Sequence, residues 1–267
     1  MALTQAAVLR NERRTVRRIF VMTLVTRTPV SRNTERFTFT APEFANFEPL
    51  AADEFFALVI PRPGRDLPSL PSTDADIRTT IQSLPDDVRP DVRWYTVRAH
   101  RPAQQQIDVD IVLHGDSGPA SRWATHARPG DRVGFRESSA PYLAPEQGHV
   151  LLVADETALP ALAAILETQA PAGPTTVLAE VPGPADIPAI ATDATIHWFH
   201  RGDTDPGSAL LPALPELVTP HLDSLGYAWL CGERAIATEA RRWLVAQGVD
   251  PELIMFSGYW RLGHARP

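Results

Sequence analysis

The sequence predicts an antiparallel β domain followed by a parallel α/β domain, and three observations lead to that prediction. The chain has 267 residues, which is long for a single domain. Residues 14–145 contain short runs rich in β-branched and aromatic residues, separated by turn residues. From residue 148 onward, apolar strands alternate with helical segments. The pattern changes near Pro145–Gly148, which predicts domains over 1–146 and 147–267.

The first domain is built from short apolar or alternating runs. They predict strands at 18–25, 35–41, 55–60, 92–100, 106–114 and 131–135, and a short helix at 121–127. Residues 61–92 contain six prolines, which exclude a central strand or a long helix there because proline cannot donate a backbone hydrogen bond. A connection of this length in a compact domain is usually a lid or a linker.

The second domain opens with His149–Asp155, a continuous apolar run typical of a strand buried on both faces. Thr157 is the expected N-cap of the helix that follows, at 157–169. The later elements are strands at 175–181, 195–200, 227–232 and 253–260, and helices at 210–218 and 233–248. Alternation of strand and helix predicts a parallel sheet.

Composition excludes several classes of chemistry. All 25 basic residues are arginine, so lysine Schiff-base chemistry is excluded. One cysteine, Cys231, excludes an intrachain disulfide and a cysteine-ligated iron–sulfur cluster. The histidines form no convincing set of metal ligands, since His197 and His200 are three apart on a predicted strand and point to opposite faces. No metal site is therefore expected.

Charge and hydropathy indicate where the protein works. No uncharged apolar run is long enough for a membrane span, and the first residues do not resemble a signal peptide, so we expect a cytoplasmic protein. Residues 1–46 hold eight arginines against three acids, while the whole chain carries −7. The run from Arg10 to Arg18 is either a nucleic-acid or membrane patch or the solvated face of the first strand. We favour the solvated face, and expect no nucleic-acid partner.

Two segments combine residues suited to a nucleotide-containing ligand. On a strand, Arg93, Tyr95 and Val97 share one face, where an arginine can pair with a diphosphate and a tyrosine can stack on a flat heterocycle. An ordinary amphipathic strand is the alternative. The turn before the short helix offers backbone N–H groups near Ser121 to an anion, or is simply a capped turn.

The start of the second domain is a further candidate. The strand 149–155 runs into Asp155, Glu156 and Thr157 at a helix start, which is where open α/β sheets bind ligands. There is no GxGxxG and no P-loop motif. The two acids count against a phosphate at that turn.

Seven motifs occur in an order that resembles the siderophore-interacting proteins, FAD-dependent ferric-siderophore reductases of the ferredoxin–NADP reductase superfamily. The resemblance covers residues 15–264. Its motifs are Arg93-x-Tyr95-Thr96-x-Arg98, Val112-Leu-His114-Gly115, Gly118-Pro-Ala-Ser-x-Trp-Ala124, Gly130-Asp131, Ala154-Asp-Glu-Thr-Ala-Leu-Pro160, Gly232-Glu233 and Gly258-Tyr-Trp-Arg261.

The resemblance implies a Greek-key barrel that holds FAD and an α/β domain that holds NADPH or NADH. Arg93 would contact the FAD diphosphate, Tyr95 would stack on the isoalloxazine, and Thr96 would act beside the flavin N5. The further FAD contacts it implies are Val97, Arg98, Val112, Leu113, His114, Gly118, Pro119, Ala120, Ser121 and Trp123. The nucleotide contacts it implies are Asp155, Glu156, Thr157, Arg201, Gly232 and Glu233. Of these, Arg201 follows the third strand of the domain, where an arginine would receive a phosphate of the nucleotide.

The expected function is the NAD(P)H-driven reduction of ferric siderophores or other ferric chelates. Of the basic residues that the family uses to hold the chelate, Arg261 is the one that clearly remains, with Arg136 and Arg62 as further candidates. The alternatives are a flavin oxidoreductase with another electron acceptor and a non-catalytic module that binds flavin or an iron chelate. The sequence leaves the oligomeric state open, and a monomer is the default expectation.

Overall fold

The fold is described from a computed structural model, which covers residues 12–13, 16–70, 76–113, 118–143 and 145–264. The chain divides after Ala140 into two compact units, within residues 11–140 and 141–267. We call them the N-terminal unit and the C-terminal unit. Each has its own sheet and its own core, as the change in sequence pattern predicts.

In the described part of the N-terminal unit, eight strands form one sheet in which every pair is antiparallel. The order is β5-β4-β8-β2-β3-β7-β6, with β1 beside β8. The strands are β1 (Glu12–Arg13), β2 (Ile19–Ser31), β3 (Thr34–Thr40), β4 (Phe55–Ile60), β5 (Asp91–Thr96), β6 (Ala99–Arg101), β7 (Gln106–Val112) and β8 (Arg132–Ala140).

The two outermost strands of the sheet, β5 and β6, are consecutive in the chain, and only Val97 and Arg98 join them. The Arg98 N–H donates to Asp108 O on β7 at 2.9 Å, so the end of β5 lies next to the opposite edge of the sheet and the sheet closes into a barrel. The prediction of one strand over 92–100 is therefore wrong. The chain turns a corner after Val97: the Val97 N–H still donates to Glu54 O at 2.8 Å, in continuation of the β4–β5 register, whereas the next N–H bonds to β7.

Phenylalanine rings fill the interior of this barrel. Phe135 on β8 stacks on Phe56 with ring centroids 4.4 Å apart and on Phe20 at 5.0 Å. Phe44 and Phe47 meet its edge at 5.2 and 5.5 Å. Such offset and edge-to-face contacts add to the free energy gained by burying the rings. Alternate residues of β2, β3 and β7 belong to this core, which contains Met22, Leu24, Phe37, Phe39, Ile107, Val109 and Ile111.

Helical segments of the N-terminal unit are short. α1 (Ile77–Gln82) lies inside the proline-rich segment, in agreement with the prediction that no long helix forms there. α2 (Pro119–His126) is the helix predicted at 121–127, and it begins two residues earlier because proline fits the first turn of a helix. Two 3₁₀ helices occupy Pro42–Asn46 and Pro102–Gln104.

In the C-terminal unit, the strands are β9 (His149–Asp155), β10 (Thr175–Val181), β11 (Ile196–His200), β12 (Leu225–Glu233) and β13 (Ile254–Trp260). They form a parallel sheet, as predicted, and the structure gives its order as β11-β10-β9-β12-β13. The helices are α3 (Leu159–Thr168), α4 (Leu210–Val218) and α5 (Arg234–Ala246), with 3₁₀ helices at Pro184–Asp186, Thr219–Ser224 and Pro251–Leu253.

The prediction that Thr157 caps the first of these helices is wrong. Ala158 holds the N-cap position of α3 without a side-chain bond. The Thr157 hydroxyl instead donates to Asp155 Oδ1 at 2.6 Å, so it closes the turn that joins β9 to α3. None of the helices in the described ranges is long and apolar enough to cross a membrane.

Candidate functional site

Arg93 and Tyr95 lie on the face of β5 that looks into the barrel. On the neighbouring β4, Arg93 is opposite Leu58 and Tyr95 is opposite Phe56. Leu58 and Phe56 are completely buried in the barrel core, and the Tyr95 ring packs against the same core. Paired residues on adjacent strands share a face, so the arginine and the tyrosine sit side by side, as predicted.

The charges of this pair suit an anionic ligand. Arg93 Nη1 donates to Val92 O at 2.7 Å, and no acid among the described residues forms an ion pair with it. Burial raises the pKa of Tyr95 to about 12, and the charge of Arg93 opposes part of that shift. The tyrosine therefore stays neutral beside an arginine whose charge is available to a ligand.

The residues after Tyr95 close the barrel. Thr96 ends β5 and is buried opposite Phe55. Val97 packs into the same core as Tyr95. The Arg98 guanidinium is buried and lies 3.7 Å from Asp110 Oδ2, so the structure gives it a place in the barrel wall. The predicted FAD contacts of Thr96, Val97 and Arg98 stay predictions.

The helix α2 lies against β5 and β7 and brings the second predicted motif to the first. Gly118 precedes it in extended conformation and offers no side-chain cap, so the N–H groups of its first turn have no capping side chain. Within the helix, Ala120 is buried, whereas Ser121 is half-buried. Trp123 packs on Phe37 and Phe39, with centroids 5.8 and 6.2 Å apart. Trp123 is thus part of the core as well as a predicted contact.

The other predicted contacts near α2 are described in part. Val112 ends β7, and the Leu113 N–H donates to Asn33 O at 2.7 Å. His114 and the side chain of Pro119 lie outside the described residues.

The features around β5 fit the parts of FAD. A helix N-terminus without a cap and an arginine without an acidic partner in the described ranges both favour phosphate oxygens. A neutral aromatic ring offers a surface for a flat heterocycle. The described residues of this site supply all three on one wall of the N-terminal unit.

The second group of predicted residues lies where the order of the parallel strands reverses. β9 continues to β10 on one side, whereas β12 lies on its other side. Ligands of open α/β sheets bind beyond the carboxyl ends of such strands. Asp155 ends β9, Gly232 and Glu233 end β12, and Trp260 ends β13, so the structure brings these residues together.

Asp155 joins the three strands through five hydrogen bonds. Oδ1 accepts from Thr157 N at 2.8 Å, Thr157 Oγ1 at 2.6 Å and Ala158 N at 3.2 Å. Oδ2 accepts from Glu233 N at 2.6 Å and Trp260 Nε1 at 2.8 Å. Burial, together with the charge of Glu156, raises the pKa of Asp155 to about 6 in spite of these bonds.

Only glycine at position 232 lets the end of β12 come this close to the Asp155 carboxylate. Its φ is +136°, and a Cβ there would lie 2.7 Å from Asp155 Cγ. The next residue, Glu233, accepts from Ala235 N and caps α5, and its Oε1 accepts from Leu262 N at 3.0 Å. β12 therefore ends in a turn that holds the Asp155 carboxylate on one side and the segment after β13 on the other.

Arg201 binds acids of the protein itself. Its two Nη atoms donate to Glu156 at 2.8 and 2.5 Å, and Nη1 lies 3.9 Å from Glu180. Burial lowers the pKa of Arg201, but the bonds to Glu156 outweigh it, so the pKa is raised. That Arg201 binds a nucleotide phosphate remains a prediction. To bind it, the phosphate would have to displace the Glu156 carboxylate from the guanidinium.

The three candidate contacts for a ferric chelate differ in exposure. Arg261 follows β13, is exposed, and forms no ion pair with the described residues. Arg62 is exposed and donates to Arg89 O at 3.1 Å. Arg136 lies within β8, where it is 3% exposed, and burial and the charge of Arg17 lower its pKa. The predicted strand at 131–135 is too short, because β8 continues to Ala140 and holds Arg136 within the sheet.

Several residues that shape the sites are absent from the sequence-based predictions. Glu180 near the end of β10 is completely buried, and Trp260 has no assigned role although its motif is noted. Asp108 and Asp110 on β7 hold Arg101 and Arg36 across the barrel wall. For Asp108 and Asp110, the sequence offers one signal, which is that acids alternate with apolar residues along β7. This alternation indicates that the acids face outward, but it does not indicate which arginine each one binds.

Comparisons with known proteins agree with this description. The sequence profile of the siderophore-interacting FAD-binding domain matches residues 23–142, and that of the siderophore-interacting protein matches residues 147–263. A crystal structure of a siderophore utilization protein from T. fusca superimposes with a TM-score of 0.73 at 27% identity, covering 95% of this chain and 98% of that one.

Three curated relatives cover most of the chain. The uncharacterized protein Rv2895c of Mycobacterium tuberculosis is 34% identical over 69% of this chain and 70% of its own. Ferric vibriobactin reductase ViuB of Vibrio cholerae is 26% identical over 88% and 86%. An NADPH-dependent ferric-chelate reductase of Escherichia coli is 26% identical over 66% and 68%. The resemblance seen in the seven motifs is confirmed, and the chain belongs to the siderophore-interacting protein family.

Proposed function

We propose that this chain is an FAD-dependent reductase that uses NADPH or NADH to reduce the iron of a ferric siderophore or a similar ferric chelate. The observation that carries the proposal is the wall formed by Arg93, Tyr95 and the uncapped start of α2 in a domain that matches a siderophore-interacting FAD-binding domain. Two family relatives are named ferric reductases, which supports iron as the acceptor.

The residues of the N-terminal unit bind and orient the flavin. Arg93 and the first N–H groups of α2 bind the diphosphate by charge-assisted hydrogen bonds. Tyr95 would hold one face of the ring system, and Thr96 would act beside its reacting edge. The flavin, when bound, supplies hydride acceptance from the nicotinamide and single-electron transfer to iron, which is chemistry that no side chain can supply.

The residues of the C-terminal unit bind the electron donor. Asp155, Thr157, Gly232 and Glu233 would line the nucleotide crevice, which is supported by their position at the carboxyl ends of β9 and β12. The Asp155 bonds join the ends of β9, β12 and β13 at this crevice. Arg261 is the proposed contact for an anionic chelate, since its charge has no acidic partner among the residues described.

An anaerobic assay tests the proposal. The purified, flavin-loaded chain is mixed with NADH or NADPH while the flavin absorbance is followed, and a ferric siderophore is then added with a chelator that colours with Fe(II). We expect bleaching, then return of the flavin colour with formation of the Fe(II) complex. Bleaching without Fe(II) would indicate another acceptor. Bound FAD that neither donor bleaches would indicate a binding module and would overturn the proposal.

A further inference from the structure

Three charged side chains meet at the carboxyl edge of β9, β10 and β11. Glu156 follows β9, Glu180 is the last residue but one of β10, and Arg201 follows β11. Arg201 is 9% exposed, Glu156 is 5% exposed and Glu180 is completely buried. Because the strands are parallel, these residues lie on the same edge as the proposed nucleotide crevice.

A carboxylate of the protein already occupies the anion position at the start of α4. Glu180 accepts from Gly207 N at 2.6 Å, Ala209 N at 3.0 Å and Leu210 N at 2.9 Å. A helix N-terminus is a favourable place for a phosphate, and here its N–H groups bind Glu180 instead. This helix therefore offers little to an external phosphate.

The arginine of the cluster is neutralised in the same way. Glu156 holds both terminal nitrogens of Arg201, and Glu180 adds a second negative charge 3.9 Å away. The loop that follows adds Asp203 and Asp205. Arg234, the cation at the start of α5, is exposed, and its Cα and Cβ pack against Gly258 of β13, on the far side of β12 from this cluster. Among the described residues, the ion pairs of Glu156 and Glu180 go to Arg201 and none goes to Arg234.

The end of the second strand is where doubly wound folds distinguish the two nicotinamide nucleotides. An acid there suits the ribose 2′-hydroxyl of NADH, whereas a free arginine accommodates the 2′-phosphate of NADPH. In this chain the acids are present and hold the arginine. We propose that the Glu156–Arg201–Glu180 cluster makes this protein select NADH over NADPH.

The inference rests on the proposed function for the site, and it adds the identity of the donor. NADH and NADPH share the pyrophosphate, so any effect of the acidic edge on that group cancels in the comparison. The 2′-phosphate alone brings about two further negative charges. With an effective dielectric constant near 20, two such charges close to one carboxylate correspond to about a 10-fold or larger loss of affinity.

Equilibrium binding tests the proposal without relying on turnover. Isothermal titration of the full, flavin-loaded chain with NAD⁺ and with NADP⁺ should give a Kd for NAD⁺ at least about 10-fold lower. Glu156→Gln removes one charge and frees part of Arg201, so NADP⁺ should bind about 5- to 30-fold more tightly, with a change for NAD⁺ of less than about 3-fold. Flavin content and circular dichroism verify the fold of the variant.

Glu239→Gln is the matched control. It also removes a carboxylate that pairs with an arginine, Arg242 at 2.8 Å, but on the exposed face of α5. It should leave both Kd values unchanged. A wild-type Kd for NADP⁺ equal to or lower than that for NAD⁺, or absence of measurable binding of both, would overturn the proposal whatever the variants do. A preference for NAD⁺ without iron reduction would leave the donor assignment standing and overturn only the proposed reductase.

Discussion

Each unit contains one arginine that the sequence assigns to a phosphate, and the two have opposite surroundings. Arg93 in the N-terminal unit donates to a backbone carbonyl and has no acidic partner among the residues described. Arg201 in the C-terminal unit binds Glu156 through two nitrogens and lies close to Glu180. An arginine is thus available to a ligand in one site and already neutralised in the other. The difference comes from the residues around each arginine.

Two buried aspartates, one in each unit, have pKa values that are shifted in opposite directions. Burial alone would raise the pKa of Asp108, but hydrogen bonds from Arg101 and Thr38 outweigh it, so the pKa lies below its usual range. Asp155 accepts its bonds from backbone N–H groups, a hydroxyl and an indole, and burial raises its pKa to about 6. A partner with full charge compensates for lost hydration, whereas neutral donors do so incompletely.

The largest expected effect is the loss of the Asp155 carboxylate. Asp155→Asn keeps the shape of the side chain but replaces one carboxylate oxygen with an N–H₂ group. That group faces at least two of the five donors and cannot accept their hydrogen bonds. Unsatisfied buried donors cost about 1–3 kcal/mol each, so the free energy of unfolding should fall by about 3–5 kcal/mol. Urea unfolding followed by near-ultraviolet circular dichroism measures it.

Asp250→Asn is the control for that substitution. Asp250 accepts from Glu252 N at 2.9 Å at an exposed N-cap, where asparagine serves equally well. Its free energy of unfolding should stay within about 0.5 kcal/mol of the parent. If Asp155→Asn were as mild as this control, the five-bond network would not hold the crevice together.

Arg93→Ala tests the available arginine. Removing its charge-assisted bonds to the diphosphate should weaken FAD by about 2–3 kcal/mol, or about 30- to 150-fold. Flavin retained after dilution and gel filtration measures the change. Arg65→Ala, at an exposed arginine of the same unit, should retain flavin like the parent. Equal retention by both variants would show that Arg93 does not bind the cofactor.

Asp108→Asn should have a smaller and salt-dependent effect. Its partner Arg101 is 36% exposed, so water screens the pair and the loss should be about 1–2 kcal/mol. That loss should shrink in about 1 M NaCl, because salt screens charges. The loss of stability in Asp155→Asn should not shrink in salt, because the groups that donate to Asp155 are neutral. A cost for Asp108→Asn that is independent of salt would contradict this contrast.

The smallest effect concerns pH. Burial raises the pKa of Asp155 from 3.8 to about 6, so on acidification through that pKa the folded state takes up a proton that the unfolded chain does not. The contribution of Asp155 to the free energy of unfolding of the parent therefore increases as the pH falls from about 7 to about 5. The asparagine side chain of the Asp155→Asn variant cannot titrate, so the stability gap between parent and variant should widen by about 1 kcal/mol over that range. Urea unfolding at both pH values measures the gap. A gap that narrows on acidification would show that the fold stabilises the ionised carboxylate instead.

The fold was predictable where the hydrophobic period was clear. Continuous apolar runs indicated β9 with its observed ends, and alternation indicated β7. The break at Val97 was not predictable, because residues 92–100 read as one strand and only closure of the barrel requires the corner. The N-terminal boundary of α3 was misplaced because Thr157 binds Asp155, a preference that local propensity does not contain.

The two classes of domain and the family can be read from the chain alone, because periodicity and motif order are properties of the sequence. The same motifs predict residues for FAD and for a nucleotide. What those residues are free to do depends on folding. Electrostatic interactions depend on distance and burial, and the fold brings Glu156 to Arg201 across 45 positions and Trp260 to Asp155 across 105. Whether an arginine binds a ligand or an acid of its own chain is therefore settled only in three dimensions.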